Sequence, residues 1–383
     1  MNQDSTHLPH KFPHQVSLTD QARYIVGLDI GDDYSYVCLL HKDSGGVEEE
    51  TRLRTTPDAL RRYFSQHHGI RIALETGTHS PWISRLLGEL EHEVLVANAR
   101  HLRLIYQNDR KNDRLDAENL ARLARLDPKL LHPITHRGEQ AQTDLGVVRS
   151  RQALVNTRTQ LINHVRGSVK SFGARLPKCD SDCFHLKVQE SIPDALRAAL
   201  GSVLAVIATL NEQIKALTMQ IQALSEAYPE TEILKQVRGV GPITALTFIL
   251  TLEDKHRFNK SRTVGAFLGM TPSRAQSGNQ DPQKRISKQG DPMLRSLLTQ
   301  CAQHILRKGS PDSDLKGFGE HLVGKGGKGA KRRAVTAVAR KLGVLLHRLW
   351  VTGEAYDPFY NRKQQNSAKT LIDAPNDPLN LLP

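Results

Sequence analysis

Four acidic residues occupy positions where their carboxylates could serve phosphodiester chemistry. Asp29 and Glu75 each end an otherwise apolar segment with the character of a buried strand. Such a strand normally excludes an acid, so both residues are out of place unless they have a function. Asp113 and Asp116 are three residues apart in a predicted helix and therefore share one face.

Carboxylates that converge from different parts of a chain are suitable ligands for Mg²⁺, a hard cation that prefers oxygen. Bound Mg²⁺ neutralises the charge that develops on a phosphate during strand cleavage. The four acids therefore predict a Mg²⁺ site that acts on a phosphodiester. A purely structural interpretation remains for the helical pair, in which Asp113 is a helix N-cap and Asp116 a favourable first-turn charge.

The elements that would carry these acids follow a recognisable order. The predicted strands are 24–30, 34–40, 47–54, 70–75 and 93–97, and the predicted helices are 57–66, 81–90, 100–106 and 113–126. Three antiparallel strands followed by alternating helices and strands are typical of an RNase H-like (RuvC-like) α/β domain, here over residues 22–137. The rival interpretation is an actin-like sugar or acetate kinase, because Gly27-Leu-Asp-Ile also opens those folds. That fold needs a duplicated second half, which this sequence lacks.

The charge of the chain favours a polyanionic partner. Lysine and arginine outnumber aspartate and glutamate by 53 to 40, which gives a net charge of +13. No apolar run approaches the roughly 20 residues that span a bilayer. The polar segment 1–21 lacks the apolar core of a signal peptide and is expected to be a disordered tail. We therefore expect no membrane partner and a cytoplasmic, nucleoid-associated protein.

The four cysteines are too few and too scattered for a disulfide framework in 383 residues, and we expect free thiols. Cys179, Cys183 and His185 could be part of a zinc site. A second pair of ligands at metal-like spacing is missing, which makes this interpretation the weaker one.

Residues 138–229 have the pattern of a helical coiled-coil arm. Val148, Val155, Ile162 and Val169 are spaced by seven residues. Between Leu200 and Leu224 the apolar residues alternate steps of three and four, as in the a/d seam of a coiled coil. An intramolecular helical hairpin and an intersubunit coiled coil explain this pattern equally well.

Residues 230–357 are expected to form a mostly helical C-terminal domain, followed by a disordered tail over 358–383. Its predicted helices are 233–238, 242–252, 264–268, 292–307 and 331–350. Arg238, Gly239 and Gly241 lie in a turn that resembles a helix-hairpin-helix, which would offer free backbone N–H groups to a DNA phosphate. A plain tight turn between two helices is the alternative.

Ser277 precedes a glycine in a polar, basic loop and could attack or hold a phosphate. Its spacing alone does not favour it over Ser273 or Ser287. Candidate nucleic-acid contacts are the basic residues around it and those of a Gly-Lys-rich run before the last helix: Arg274, Lys284, Arg285, Lys288, Lys328, Lys331, Arg332 and Arg333. Such runs can also be no more than solvated surface.

The ordered series of motifs resembles bacterial insertion-sequence transposases of the DEDD class, the IS110 family and its IS1111 subgroup. The motifs extend from about Tyr24 to Asp357: Gly27-Leu-Asp29-Ile, Glu75-Thr-Gly77, Asn98-Ala-Arg-His, Lys111-Asn-Asp113-Arg-Leu-Asp116, Gly239-Val-Gly241-Pro, Gly269-Met-Thr-Pro272, Gln276-Ser277-Gly278, Ile286-Ser-Lys-Gln-Gly290 and Ala339-Arg-Lys-Leu. Ala99 stands where the family usually has proline, and Asn112 where it usually has threonine. Neither departure touches a proposed metal ligand.

The resemblance implies a RuvC-like domain, a coiled-coil arm and a C-terminal serine transposase domain. It implies that Asp29, Glu75, Asp113 and Asp116 bind Mg²⁺ and that Ser277 becomes covalently joined to DNA. It further implies a dimer or tetramer, in which the metal site of one subunit works with the serine domain of another. The expected partners are element-end DNA, target DNA and a structured non-coding RNA that guides the choice of both by base pairing.

The resulting hypothesis is RNA-guided transposition through a phosphoserine-linked DNA strand. The alternative is a resolvase-type, Mg²⁺-dependent junction nuclease in which water attacks and Ser277 only orients the phosphate. A DNA-binding protein without catalysis is a third class, and it would leave the four acids unexplained.

Overall fold

The computed structural model describes residues 23–100, 102, 112–273, 282 and 284–362. The chain forms two compact units, residues 1–138 and 139–383, which we call the N-terminal and C-terminal units. The predicted helix 100–106 lies almost entirely outside the described residues.

The N-terminal unit is built on one five-stranded sheet in a mixed α/β arrangement. Its strands are β1 (Tyr24–Ile30), β2 (Tyr34–His41), β3 (Val47–Arg54), β4 (Arg71–Glu75) and β5 (Glu93–Ala97). Their spatial order is β3-β2-β1-β4-β5. Strand β2 is antiparallel to both of its neighbours, β1 and β3, and β4 and β5 run parallel to β1. The predicted strands are confirmed to within one residue at each end.

Helices cover both faces of this sheet, which is why β1 and β4 are apolar almost throughout. The helices are α1 (Pro57–Phe64), α2 (Ser80–Glu89) and α3 (Asp113–Leu126), followed by a 3₁₀ turn over Pro128–Leu131. On one face, Leu28, Leu60 and Ile83 share a core that joins β1 to α1 and α2. On the other face, Ile25 and Leu120 share the core between β1 and α3.

The C-terminal unit is helical. Its helices are α4 (Glu139–Ser171), α5 (Phe184–Lys187), α6 (Asp194–Glu226), α7 (Glu230–Lys235), α8 (Pro242–Leu252), α9 (Val264–Phe267), α10 (Pro292–Ile305), α11 (Asp314–Gly324) and α12 (Ala330–Thr352). Short 3₁₀ turns occupy Ser181–Cys183, Gln189–Ser191, Lys255–Arg257 and Ser261–Thr263. Helix α11 is absent from the sequence prediction, although Ser313 is a recognisable N-cap whose side chain accepts from the Lys316 N–H at 3.2 Å.

Helices α4 and α6 pair within the chain, as the hairpin interpretation requires. Ile162, Val165 and Val169 of α4 share a core with Leu200, Leu204 and Ile207 of α6. By length and composition α6 is also apolar enough to cross a membrane, a property that the sequence analysis missed because its charges are spread along the helix. Its apolar seam is used in the contact with α4.

The base of this helix pair belongs to the same compact unit as the C-terminal helices. Leu145 of α4 and Ile221 of α6 pack with Leu246 of α8, and the Tyr228 hydroxyl donates to the buried carboxylate of Asp144 at 2.6 Å. The sequence analysis places a domain boundary at residue 229, whereas the structure continues one core across it.

Residues 358–362, which the sequence assigns to a disordered tail, pack on the C-terminal unit. The Asp314 N–H donates to the Pro358 carbonyl at 2.8 Å, and the Arg362 guanidinium forms an ion pair with Asp312 at 2.9 Å. The Arg348 guanidinium lies 3.9 Å from the centroid of the Tyr360 ring. The predicted start of the tail is therefore wrong by at least five residues, because aromatic and charged side chains here find partners that local composition cannot show.

Candidate active site

Asp29 and Glu75 occupy matching positions on adjacent strands. In the parallel pairing of β1 with β4, Leu28 lies opposite Leu74, so the next residue on each strand is one of the two acids. Residues that match across a ladder project from the same face. This is the face of Gly27, on which α3 packs. Both acidic side chains are half-buried.

The first turn of α3 lies at the same edge of the sheet. Arg71, at the start of β4, donates to the carbonyl of Ala124 near the end of α3 at 3.4 Å. Ala117 lies against Gly27 of β1. The helix therefore runs opposite to β1 and β4, and its N-terminal residues Asp113 and Asp116 lie toward the carboxyl ends of the strands.

The contact between α3 and β1 depends on the absence of a side chain at Gly27. A Cβ atom placed there would lie 1.8 Å from the Ala117 carbonyl oxygen and 2.7 Å from the Ala121 nitrogen. These distances are far below van der Waals contact, so only glycine lets the helix lie this close to the strand. The sequence shows Gly27 within a motif, but it does not show what approaches it.

Asn112, and not Asp113, caps α3. The Asn112 side chain accepts from the Arg114 N–H at 3.1 Å, while the Asp113 side chain is exposed. The interpretation of Asp113 as the N-cap is therefore wrong, because the preceding residue satisfies the helix end. Asn112, one of the two residues that depart from the family pattern, is thus the cap of α3.

The loop after Glu75 is fixed by hydrogen bonds. The Thr76 hydroxyl accepts from the Ala99 N–H at 3.3 Å. The Ser80 hydroxyl donates to the Gly77 carbonyl at 2.8 Å and lies 2.8 Å from Nε2 of His136. Burial, with the nearby charge of Arg85, lowers the pKa of His136. A neutral imidazole therefore supports this loop at neutral pH.

Carboxylate oxygens at one edge of the sheet are a donor set of the kind that Mg²⁺ takes. The backbone places all four acids there, and their chemistry fits the ion. Within the described ranges, however, no three His, Cys, Asp or Glu side chains lie close enough together to hold a metal ion. The same search covers Cys179, Cys183 and His185, so the zinc interpretation gains no support. All four cysteines are free thiols, as predicted.

Ser277 and Arg274 lie outside the described residues, but the segments that flank them in the sequence are described. Two short segments, 269–273 and 285–288, run antiparallel to each other, and we call this pair the base of the predicted Ser277 loop. The Ser273 N–H donates to the Arg285 carbonyl at 3.0 Å, and the Ser287 N–H donates to the Thr271 carbonyl at 2.9 Å. The alternatives Ser273 and Ser287 are thus part of the base, and Ser277 lies between its two segments in the sequence.

Two glycines allow the backbone segments of this base to cross. A Cβ atom on Gly269 would lie 2.5 Å from the Gln289 nitrogen, and one on Gly290 would lie 2.3 Å from the Phe267 carbonyl oxygen. Gly269 also has a φ of +67°, which favours glycine. Arg295 of α10 secures the crossing by donating to the Gly290 carbonyl at 2.5 Å.

A basic cavity adjoins this base. It has a volume of about 730 Å³ and is lined by Arg262, Thr271, Pro272, Arg340, Lys341 and Val344. Its three cations come from a 3₁₀ turn and from α12, which are far apart in the sequence. For that reason the sequence analysis did not predict them as a cluster, although Arg340 and Lys341 belong to one of the family motifs. The predicted contacts Lys284, Arg285 and Lys288 are exposed beside the same base.

The turn at Arg238, Gly239 and Gly241, which the sequence offers as a phosphate site, is closely packed against a helix. Gly239 has a φ of +86°, and its missing side chain leaves room for α10, where the Cys301 carbonyl would lie 3.2 Å from an added Cβ. This packing supports the tight-turn interpretation for Gly239, although Arg238 is exposed.

In the Gly-Lys-rich run, Lys328, Lys331 and Arg332 are exposed. Arg333 turns back to donate to the Lys328 carbonyl at 2.6 Å and to the Gly326 carbonyl at 3.1 Å. Arg333 therefore closes the loop, and the other three cations remain candidates for phosphate contacts.

Comparison with known proteins shows the family. Residues 26–173 match the DEDD transposase family, and residues 231–316 match the family described as transposase IS116/IS110/IS902. A probable family 20 transposase from Pseudomonas aeruginosa is 31% identical over 255 residues, which cover 65% of this chain and 75% of that protein. The chain belongs to the IS110 family of transposases.

Other relatives of this transposase extend the match over nearly its whole length. The transposase for insertion sequence element IS1111A from Coxiella burnetii is 25% identical over 357 residues, covering 90% of this chain and 95% of that protein. The transposase for element IS1328 from Yersinia enterocolitica is 25% identical over 287 residues, covering 74% and 84%. The protein is therefore an enzyme that acts on DNA.

The two family matches divide the candidate residues between them. All four acids lie within residues 26–173. Ser277 and the two segments of the base, 269–273 and 285–288, lie within residues 231–316. Membership of a DEDD family suggests that the transposase uses a divalent metal.

Proposed function

We propose that this transposase cuts and rejoins DNA at the ends of an insertion element and at a target site, through a DNA strand covalently held on Ser277. The observation that carries the proposal is the register of β1 with β4. It sets Asp29 beside Glu75 at the edge where α3 begins with Asp113 and Asp116.

The N-terminal unit would position the scissile phosphate. Asp29, Glu75, Asp113 and Asp116 would hold Mg²⁺, which supplies charge neutralisation at the phosphate when bound. Asn112 holds the first turn of α3, and Thr76 and Ser80 hold the loop after Glu75. The strand order supports an RNase H-like, RuvC-like assignment for this unit.

Ser277 would supply the nucleophile. Its hydroxyl oxygen forms a bond to phosphorus, the bond from phosphorus to the leaving strand breaks, and the proton released by serine is taken up on the leaving oxygen. Because the phosphodiester bond is conserved as phosphoserine, a second DNA end can reverse the step without an external energy source.

The basic cavity beside the base of the Ser277 loop supports this role. Arg262, Arg340 and Lys341 line it. Within the described part of the chain, none of the three forms an ion pair with a carboxylate, so their charge remains available to the DNA backbone.

The partners and the assembly follow from the family resemblance. We propose a dimer or tetramer in which the Ser277 loop of one subunit serves the carboxylates of another, and a structured non-coding RNA that selects donor and target DNA. The exposed cations Lys284, Arg285, Lys288, Lys328, Lys331 and Arg332 would contact these nucleic acids. The expected location is the cytoplasm, at the nucleoid.

One experiment tests the proposed chemistry. The transposase is incubated with its guide RNA, labelled element-end DNA and Mg²⁺, and the products are separated on a denaturing gel. A protein-linked DNA band that disappears in Ser277→Ala is expected, and Asp29→Asn should prevent all cleavage. Ser202→Ala, at an exposed position of α6, is the matched control, and it should retain the band.

Two results would contradict the proposal. Free cleaved DNA that persists in Ser277→Ala would favour the resolvase-type nuclease, with water as the nucleophile. Full activity of both Asp29→Asn and Glu75→Gln would show that these carboxylates are not part of the catalytic site.

A further inference from the structure

A row of tyrosine and arginine side chains continues from the carboxylate edge across the sheet. In the pairing of β1 with β2, Asp29 lies opposite Tyr36. In the pairing of β2 with β3, Tyr36 lies opposite Arg52. Because directly paired residues project from one face, all three lie on the face that carries α3.

Helix α3 covers the neighbouring row and also contacts Tyr36, which packs against the cluster of Cys38, Ala117 and Ala121. Gly27, Cys38 and Glu50 are matched across the same three strands. Gly27 contacts Ala117, and Glu50 forms an ion pair with Arg114 in the first turn of α3. The row that contains Asp29 is one step nearer the carboxyl end of β1, and its outermost member, Arg52, is exposed on β3.

The arginines at this edge are stacked on tyrosine rings. The Arg52 guanidinium carbon lies 3.7 Å from the centroid of the Tyr34 ring and 5.9 Å from that of Tyr36. The Arg54 guanidinium carbon lies 5.6 Å from the centroid of Tyr34. A guanidinium held over an aromatic ring keeps the N–H groups of its rim available to other acceptors.

Their positive charge is not neutralised locally. Both arginines are exposed, and neither forms an ion pair with a carboxylate of the described residues. Glu50, two residues before Arg52 on the same face of β3, is already paired with Arg114. Arg52 and Arg54 thus present two uncompensated, oriented cations on β3, two strands from Asp29.

We infer that Arg52 and Arg54, held on the Tyr34 ring, bind backbone phosphates of the DNA strand next to the phosphate at the carboxylate edge. Planar guanidinium groups match the geometry of phosphate oxygens. The bound DNA strand would then run along β3, on the side of the sheet edge away from α3. This inference rests on the proposed function, because it takes the carboxylate edge as the place of cleavage.

Binding is tested with the full-length transposase and short fluorescein-labelled DNA, single-stranded and duplex, in buffer with EDTA so that no cleavage occurs. Fluorescence anisotropy gives the Kd at several salt concentrations. The variant Arg52→Ala/Arg54→Ala should bind severalfold more weakly. On duplex DNA, the slope of log binding constant against log salt concentration should become less steep by about 1.8. The reason is that each lost phosphate contact reduces the magnitude of the slope by about 0.9.

Arg61→Ala/Arg62→Ala is the matched control. These arginines are exposed on α1, which packs on the opposite face of the sheet, and the double substitution removes the same charge. It should leave the salt slope near that of the wild type. Equal slopes for the two double variants would overturn the inference, since the row would then contribute no specific contact.

Three further variants examine the ring and the charge separately. Tyr34→Phe should bind as the wild type does, and Tyr34→Ala should bind more weakly. Arg52→Lys/Arg54→Lys keeps the charge but loses the planar stack, so it should raise the Kd without changing the salt slope. Wild-type binding by both Tyr34→Ala and the lysine variant would overturn the role of the stacked arrangement.

Failure of the inference can be distinguished from failure of the proposed function. Asp29→Asn in the same EDTA buffer should retain DNA binding that depends on Arg52 and Arg54, whatever its effect on cleavage. Replacing the probe with RNA of the same sequence decides the partner. A Kd that rises for RNA alone in Arg52→Ala/Arg54→Ala would overturn the assignment to DNA.

Discussion

The carboxylate edge and the base of the Ser277 loop both depend on glycine, but in different ways. At the carboxylate edge, Gly27 lies within a regular strand and provides only space for α3. At the loop base, Gly269 provides space and also a backbone conformation with φ of +67°. The first site is therefore positioned by a helix on a sheet, and the second by two crossing backbone segments.

This difference predicts which part of the structure a substitution at each site will disturb. A change at Gly27 should displace a whole helix that carries two of the acids. A change at the loop base should move a local loop while the surrounding helical core stays folded. The following substitutions test that contrast.

Gly27→Ala should have the largest effect. The new Cβ would overlap the Ala117 carbonyl at 1.8 Å, so α3 must shift and the free energy of unfolding should fall by about 3 kcal/mol. Urea unfolding measures the loss, and faster hydrogen exchange in α3 locates it. Gly88→Ala is the control, because its Cβ meets nothing within 4 Å. Equal stability of the two variants would contradict the close helix contact.

Gly290→Ala should impair the formation of protein-linked DNA more than it impairs folding. Its Cβ would lie 2.3 Å from the Phe267 carbonyl, and local relaxation should cost about 2 kcal/mol. The denaturing gel and urea unfolding measure the two effects. Gly324→Ala, where an added Cβ meets no neighbour within 4 Å, should change neither. A normal DNA-linked band in Gly290→Ala would show that the crossing does not position the loop.

Asn112→Ala should have a smaller effect, confined to the first turn of α3. Loss of the cap to the Arg114 N–H should lower stability by about 1 kcal/mol and reduce cleavage, because Asp113 and Asp116 lie in that turn. Asn112→Asp retains a capping oxygen and should restore both. Failure of the aspartate variant to restore stability would show that Asn112 acts by another contact.

The pH dependence of stability should be the smallest effect. Burial is the largest cause of the lowered pKa of His92, His136 and His347. The folded state therefore favours the neutral imidazoles. Their contribution is complete above the unfolded pKa of about 6.5 and declines as pH falls below it.

Urea unfolding at several pH values between about 7.5 and 5.5 measures this decline. His92→Gln should make the decline shallower, and His321→Gln, at an exposed position without such burial, should not. A stability that rises as pH falls through this range would contradict the predicted sign.

The sequence determined the features that depend on local signals. The strand bounds of the N-terminal unit, the capped start of α10 at Asp291 and the unusual acids at the ends of β1 and β4 all follow from a few neighbouring residues. The family could also be inferred from motif order. These features are readable because hydrophobic periodicity and helix caps are short-range effects.

Only the tertiary structure decided which distant residues meet. The register that sets Asp29 beside Glu75 and opposite Tyr36, the direction of α3, and the cavity formed by Arg262, Arg340 and Lys341 all join separate segments. So does the stacking of Arg52 on Tyr34. Such contacts depend on long-range packing, in which residues far apart in the chain are brought together by cores that no local pattern specifies.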